Sequence, residues 1–290
     1  MTEFLQFALA GISVGVIYGA IAVGFNIIYN SSHVVNFAQG EFVMLGAMTC
    51  VLLLGAGLPY PLAAFLAVAA TAVVGLLLYD VAIRPAKNAP VIMLIIITIG
   101  ASILIRGLAR PIFGTGVASL PAVVPGASIS IGGAVVQPQS LIVVAGTLGA
   151  VLLLWLFMRK TLLGKGLIAA SSDPMAATLM GIRVSNIVRL SFLISASLGA
   201  VSGILIAPIA LANYEMGTLL ALKGFAAAIL GGMGSIPGAV LGGLLVGLSE
   251  AMSAGYISSD YKDATAFVVI MLALFFFPNG LVGSGEVTRA

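Results

Sequence analysis

Charge is what this sequence has least of. Only 7% of its 290 residues are Asp, Glu, Lys or Arg, while 61% are hydrophobic. A soluble domain carries about 25% charged residues, because its surface must be hydrated. Twelve Lys and Arg with nine Asp and Glu cannot cover a water-facing surface of this size, so most of the chain is solvated by lipid. There is one cysteine, Cys50, which excludes an intrachain disulfide, and one histidine, His33, so no His/Cys set for a soft metal can assemble. The formal charge of +3 is small and dispersed, with no basic run or aromatic-interleaved stripe to read nucleic acid. The phosphate-loop pattern is missing too: Gly164-Lys165-Gly166 follows Thr161-Leu162-Leu163 without the required spacing. With no nucleophile elbow and no carboxylate pair in a polar setting, no catalytic residues are assigned, and no enzyme activity or metal site is expected of this chain.

What is present is apolar length. Stretches near 4–28, 36–57, 60–83, 90–110, 139–158, 190–212, 224–252 and 264–282 each approach the roughly 20 residues that span a bilayer. The expected fold is therefore all-α, a polytopic membrane protein with about eight transmembrane segments forming one domain over residues 1–290. Residues 4–28 lack a basic leader and read as a retained first helix. Gly11, Gly15, Gly19 and Gly24 recur within that segment, a spacing that lets another helix approach closely.

Orientation follows Lys and Arg. The segment 159–189 carries Arg159, Lys160, Lys165, Arg183 and Arg189 against Asp173 alone, and Arg84 and Lys87 follow the third segment. Both loops are thereby cytoplasmic, and the Lys- and Arg-free stretch 111–138 is external. Three full crossings would leave the N-terminus outside. Arg106 and Arg110 read as interfacial anchors that snorkel. Asp80 and Arg84 are spaced for an i,i+4 pair, and Glu250 reads as reaching the interface.

Two segments are broken. Gly231-Gly232-Met233-Gly234-Ser235-Ile236-Pro237-Gly238 interrupts one apolar stretch, and Asn36, Gln39 and Glu41 open another. Irregular backbone at membrane depth persists only against protein or a wet cavity, and paired breaks point to a substrate path. Asn36, Gln39, Glu41, Gly234, Ser235 and Pro237 are the candidates for a path or gate. An interhelical hydrogen-bond network that locks packing is the other reading of the first three.

The cytoplasmic loop holds a helix signal. Asp173 is a good N-cap, Pro174 suits the first helical position and Gly181 the stop, which defines about two turns. The enclosed residues are mostly apolar: Ala176, Ala177, Leu179 and Met180, with Ile182 just beyond. Such a helix buries its side chains either in a groove on a partner protein or among lipid headgroups.

Four stretches together resemble the permeases of the branched-chain amino acid family of bacterial ABC importers, and among them the shorter permease subunit. They are Gly15-Val16-Ile17-Tyr18-Gly19-Ala20-Ile21-Ala22-Val23-Gly24, Val35-Asn36-Phe37-Ala38-Gln39-Gly40-Glu41-Phe42, Asp173 through Ile182, and Gly231 through Gly243. The tail Phe277-Pro278-Asn279-Gly280-Leu281-Val282-Gly283 fits as well. The resemblance implies a type II-like importer permease in the bacterial inner membrane. Its implied partners are a second permease (a different, longer homologue), two cytosolic ATPases that hold ATP and Mg, and a periplasmic substrate-binding protein. It also implies that Asp173, Pro174, Ala176, Ala177, Leu179, Met180, Gly181 and Ile182 couple the chain to an ATPase. Relatives in the family carry branched-chain amino acids, urea, amides or carboxylic acids, so the resemblance leaves the substrate open. An ion-gradient-driven secondary transporter is the alternative, since broken helices and buried carboxylates suit that class too.

Overall fold

The computed structural model describes residues 2–124, 126–277 and 279–282. Pro278 and Gly283 of the tail motif lie outside the described residues. Among the described residues eleven α-helices follow one another: α1 (Thr2–Ser32), α2 (Gln39–Gly55), α3 (Tyr60–Ile83), α4 (Val91–Phe113), α5 (Pro138–Lys160), α6 (Leu162–Ser172), α7 (Pro174–Leu179), α8 (Val184–Ala210), α9 (Met216–Gly231), α10 (Ile236–Tyr256) and α11 (Lys262–Phe276). The last six residues of α3, Leu78–Ile83, are wound as a π-helix.

Six of these, α1, α3, α4, α5, α8 and α10, are long and apolar enough to cross a membrane. The expected count of eight is not what the described residues show, because the stretches 36–57 and 264–282 hold only the shorter helices α2 and α11, of 17 and 15 residues. The stretch 224–252 still supplies one long helix but is divided into two. α9 ends at Gly231 and α10 starts at Ile236, and the two run antiparallel with Gly231 packed on Gly238 and Ala227 on Gly242. The glycine-rich break is thus the turn of a helical hairpin. Gly232 and Gly234 both have positive φ there, 100° and 93°, a backbone that side chains with a Cβ rarely adopt. α2 has only 17 residues, about 25 Å of helix, and α9 only 16.

The α1 glycines do what their spacing predicts. A methyl group at Gly11 or Gly15 would meet the α10 backbone at Gly247–Leu248 or Gly243–Leu244, and one at Gly243 would meet that of Gly15 and Gly19. Lipid tails are as apolar as leucine, so this close approach, through van der Waals contact, supplies the attraction between the helices. Gly24 serves a different partner, the Gln39 side chain of α2.

The external stretch departs from an all-helical picture. Ile129–Ile131 (β1) and Ala134–Val136 (β2) form a small antiparallel hairpin, and Ala118 bridges Ala212. Gln6 of α1 donates to the Val135 carbonyl and accepts from its N–H, so the start of α1 and this hairpin share one end of the molecule. At the other end His33, Asp80, Arg84, Lys87, Pro174 and Ser185 surround a cavity of ≈ 940 Å³. That end carries the Lys- and Arg-rich loops that the charge rule expects on the cytoplasmic side, and the start of α1 is at the opposite end.

Candidate functional site

The non-helical connection from α1 to α2 is the first part of the site. His33 ends the helix with φ 55°, and the chain from Val34 to Ala38 runs without helix to the start of α2. Its backbone groups lack the hydrogen-bond ladder of a helix and need other partners. Thr98 of α4 supplies two: its hydroxyl accepts from Phe37 N–H at 3.2 Å and stands 3.3 Å from the Val35 carbonyl. Asn36 Oδ1 accepts from Ala38 N–H at 3.1 Å.

Asn36, Gln39 and Glu41 are all buried, Glu41 to 1% exposure. The structure gives them different work. Gln39 is a lock between helices. Its Nε2 donates to the Ser195 carbonyl of α8, and its Oε1 lies 2.6 Å from the Ser195 hydroxyl, which also reaches the Gly24 carbonyl of α1. Its polar atoms are committed to packing. Glu41 instead faces α4. Ser102 donates to Glu41 Oε1 at 2.8 Å, and Arg106 Nε stands 3.9 Å from the same oxygen. Arg106 also donates from Nη1 to Thr218 of α9 at 2.7 Å. Glu41 Oε2 and Asn36 Nδ2 are buried without a hydrogen-bond partner among the described residues.

Thr98, Ser102 and Arg106 follow one another at four-residue intervals, so a single face of α4 carries the hydroxyls and the guanidinium that meet this connection. Reading Arg106 as a snorkelling anchor misses this: the guanidinium is turned inward, onto Glu41 and Thr218. The i,i+4 spacing on α4 was the signal available in the sequence.

The second break lies elsewhere. Gly234 and Ser235 are at the α9–α10 turn, where Asn30 of α1 donates to the Gly234 carbonyl at 2.8 Å and Asn26 to that of Ser235 at 2.9 Å. The Ser235 hydroxyl accepts from Gly238 N–H as the N-cap of α10, and Pro237, exposed, occupies the first turn. These three are not brought together with Asn36, Gln39 and Glu41. They sit against the last turns of α1, toward the cytoplasmic end, and the expectation of a break within one membrane segment gives way to a hairpin turn.

The helix expected from Asp173 to Gly181 is present with its caps. Asp173 Oδ1 accepts from Met175 and Ala176 N–H, both at 2.9 Å, Pro174 begins α7, and Gly181 has φ 84°. Ala177 is buried and Ile182 packs partly against the core, while Ala176 is exposed. Met175, Leu179 and Met180 are 76%, 81% and 83% exposed. α7 is thus a pedestal of apolar side chains held by its own small residues. α6, an apolar helix beside it, has no counterpart in the sequence reading, which left 162–172 as loop.

Asp80 pairs more closely than its spacing indicates. Arg84 is 3.9 Å away, as expected, but Arg189 of α8 is at 2.8 Å and ties the cytoplasmic ends of α3 and α8. Lys223 is a further omission of the sequence reading. It lies in α9, with its ammonium 2.7 Å from Glu250 of α10, 2.6 Å from Asp263 of α11 and 3.2 Å from the Tyr18 hydroxyl of α1. Tyr18 donates in turn to Glu250 Oε2 at 2.8 Å. Glu250 therefore turns inward, and does not reach for the interface. A lysine inside an apolar run was a legible signal, since intramembrane charges are costly unless partnered.

Six helices long and apolar enough to cross a bilayer, an interrupted connection between α1 and α2, and a charged end bearing an apolar pedestal mark a multi-pass membrane protein. Residues 7–274 match the family model described as branched-chain amino acid transport system / permease component, and the chain belongs to that family. It is 32% identical, over 99% of its own length and 97% of the relative's, to the high-affinity branched-chain amino acid transport system permease protein LivH of Escherichia coli (strain K12). It is 34% identical to the permease protein BraD of the corresponding system of Pseudomonas aeruginosa, over 99% and 98% of the two chains. Among solved structures, PsaBC from Streptococcus pneumoniae in complex with Fab shares the fold, with TM-score 0.52 at 18% identity over 96% of this chain and 93% of that one. Membership in a permease family makes the chain a component of a transport system, not an enzyme.

Proposed function

We propose that this chain is the shorter permease of an ATP-driven importer of the bacterial inner membrane, carrying branched-chain amino acids or a related small carboxylate or amide. It acts as one permease domain, with 159–189 as its cytoplasmic coupling loop. It works beside a second, longer permease, with two cytosolic ATPases that bind ATP and Mg, and with a periplasmic binding protein that selects the cargo. The observation that carries this reading is α7: three large apolar side chains held out at the Lys- and Arg-rich end by a helix whose caps are built into the chain. A gradient-driven carrier needs no such docking element, and the family gives that alternative no support.

In this reading α7 seats on an ATPase, and its displacement on ATP binding moves α8 through the short connection 180–183. Asn36 and Glu41 border the path and act as a gate, with Arg106 as the facing counter-charge of Glu41. Gln39 holds α1, α2 and α8 in register. Gly234, Ser235 and Pro237 flank the cytoplasmic exit.

The test is reconstitution of the chain with its partners in liposomes, measuring leucine uptake and ATP hydrolysis together. Uptake that needs the binding protein and hydrolysable ATP supports the reading. Uptake driven by an imposed ion gradient with no ATPase present overturns it.

A further inference from the structure

The Tyr18–Lys223–Glu250–Asp263 cluster borders a cavity that the path described above does not use. This cavity has ≈ 430 Å³ and lies between α1, α5, α8, α9, α10 and α11. Its size falls within the roughly 300–1,000 Å³ usual for small-molecule sites. Val14, Val143, Ile206 and Leu220 form an apolar wall, and Ser140, Asn213, Lys262 and Asp263 stand on its rim with the cluster. Ala10, Ser140 and Leu211 lie near the ends of helices on the side of the β1–β2 hairpin, so the cavity faces that external end.

The charges are unequal. Lys223 is buried; its ammonium donates to Glu250 and Tyr18 and stands 2.6 Å from Asp263 Oδ1 as an ion pair. Both oxygens of Glu250 are engaged, one by Lys223 and one by Tyr18. One ammonium thus faces two carboxylates, which leaves a formal excess of one negative charge. That excess is reachable at Asp263, whose side chain is 41% exposed. Lys262, the preceding residue, is an exposed cation on the same rim. Adjacent groups of opposite charge beside an aliphatic wall match a small molecule that carries an ammonium, a carboxylate and a hydrocarbon side chain.

We propose that this cavity is an outward-facing subsite for a zwitterionic aliphatic amino acid, with its ammonium group on Asp263, its carboxylate on Lys262 and its side chain against Val143, Ile206 and Leu220. The proposal rests on the importer reading above and adds where, within this chain, the cargo first rests. Lys223 does not touch the cargo. It holds Asp263 in place and offsets part of its charge, so the site binds weakly enough to release.

The experiment uses the assembled transporter in nanodiscs, with Cys50→Ala to remove the native thiol and Ser140→Cys as a reporter on the rim. A small polar thiol reagent labels the reporter from outside. Leucine slows that labelling several-fold, whereas isocaproate, which lacks the ammonium, and isoamylamine, which lacks the carboxylate, do not at the same concentration. Asp263→Asn and, separately, Lys262→Gln each weaken protection by leucine about tenfold, the usual consequence of losing a charge-assisted hydrogen bond. Lys262→Gln changes an exposed residue and keeps the test valid where Asp263→Asn impairs assembly. No labelling, labelling indifferent to leucine, or equal protection by isocaproate overturns the subsite. Indifference to leucine in a complex that still imports leucine with ATP removes the subsite alone. Absence of leucine import by the unmodified complex removes the reading on which it rests.

Discussion

Arg106 and Glu41, on α4 and α2, face each other at 3.9 Å with Ser102 holding the same carboxylate oxygen at 2.8 Å. A buried carboxylate that keeps one oxygen unpartnered is expensive unless a charge is offset or water reaches it. At 3.9 Å the pair is long for a salt bridge. Glu41→Gln keeps the shape and removes the charge. We expect a several-fold lower transport rate with the rank order of accepted solutes unchanged, read from uptake with competing solutes. A changed rank order at normal rate shows that Glu41 reads the cargo instead.

Leu179→Asp or Met180→Asp places a charge on the exposed pedestal of α7. Membrane insertion is expected to persist, since neither side chain is packed within the chain. Docking weakens by about 2 kcal/mol or more, the loss typical of a central interface residue. Copurification of the ATPases and ATP-driven uptake both report it, and wild-type values for the two rule out α7 as the coupling element.

Lys223→Met leaves Glu250 buried beside Tyr18 without its cation. Breaking one side of a buried ion pair costs about 3–5 kcal/mol, more than the pair contributes relative to a neutral one. The thermal midpoint of the purified chain in detergent should fall clearly, and Lys223→Met with Glu250→Gln should recover part of the loss. A double variant no more stable than the single one contradicts this pairing.

Gly243→Leu inserts a side chain where α10 lies against Gly15 and Gly19 of α1. Overpacking of this kind costs about 1–3 kcal/mol, and more where backbone is the obstacle. Leu245→Ala, on the exposed side of the same helix, is the control and leaves the thermal midpoint nearly unchanged. Equal midpoints for the two variants refute the glycine contact.

Cysteines placed at Ser235 and Pro237 in a Cys50→Ala background are expected to react with small polar thiol reagents added from the cytoplasmic side. Protection at both positions in every nucleotide state makes the α9–α10 turn a purely packed feature.

Features set by short-range chemistry were legible in the chain itself. Apolar length and scarce charge decide that lipid is the solvent. Asp173, Pro174 and Gly181 decide α7, because a cap bonds within one turn of its own residue. The α1 glycines announce a close contact by spacing alone. Their partner does not show, since nothing near residue 15 indicates that Gly243 will face it. The same holds for each charge. Arg106 reads as an anchor until α4 is laid against α2 and α9, and Glu250 as interfacial until α9 brings Lys223 to it, because such pairs join residues tens to hundreds of positions apart. The stretch 224–252 looks continuous to hydropathy, which registers composition and is blind to a four-residue reversal. Only packing, with Asn26 and Asn30 of α1 donating to the carbonyls of the turn, makes it a hairpin. Sequence decided which groups must be hidden from lipid, and the tertiary structure decided what each is hidden against.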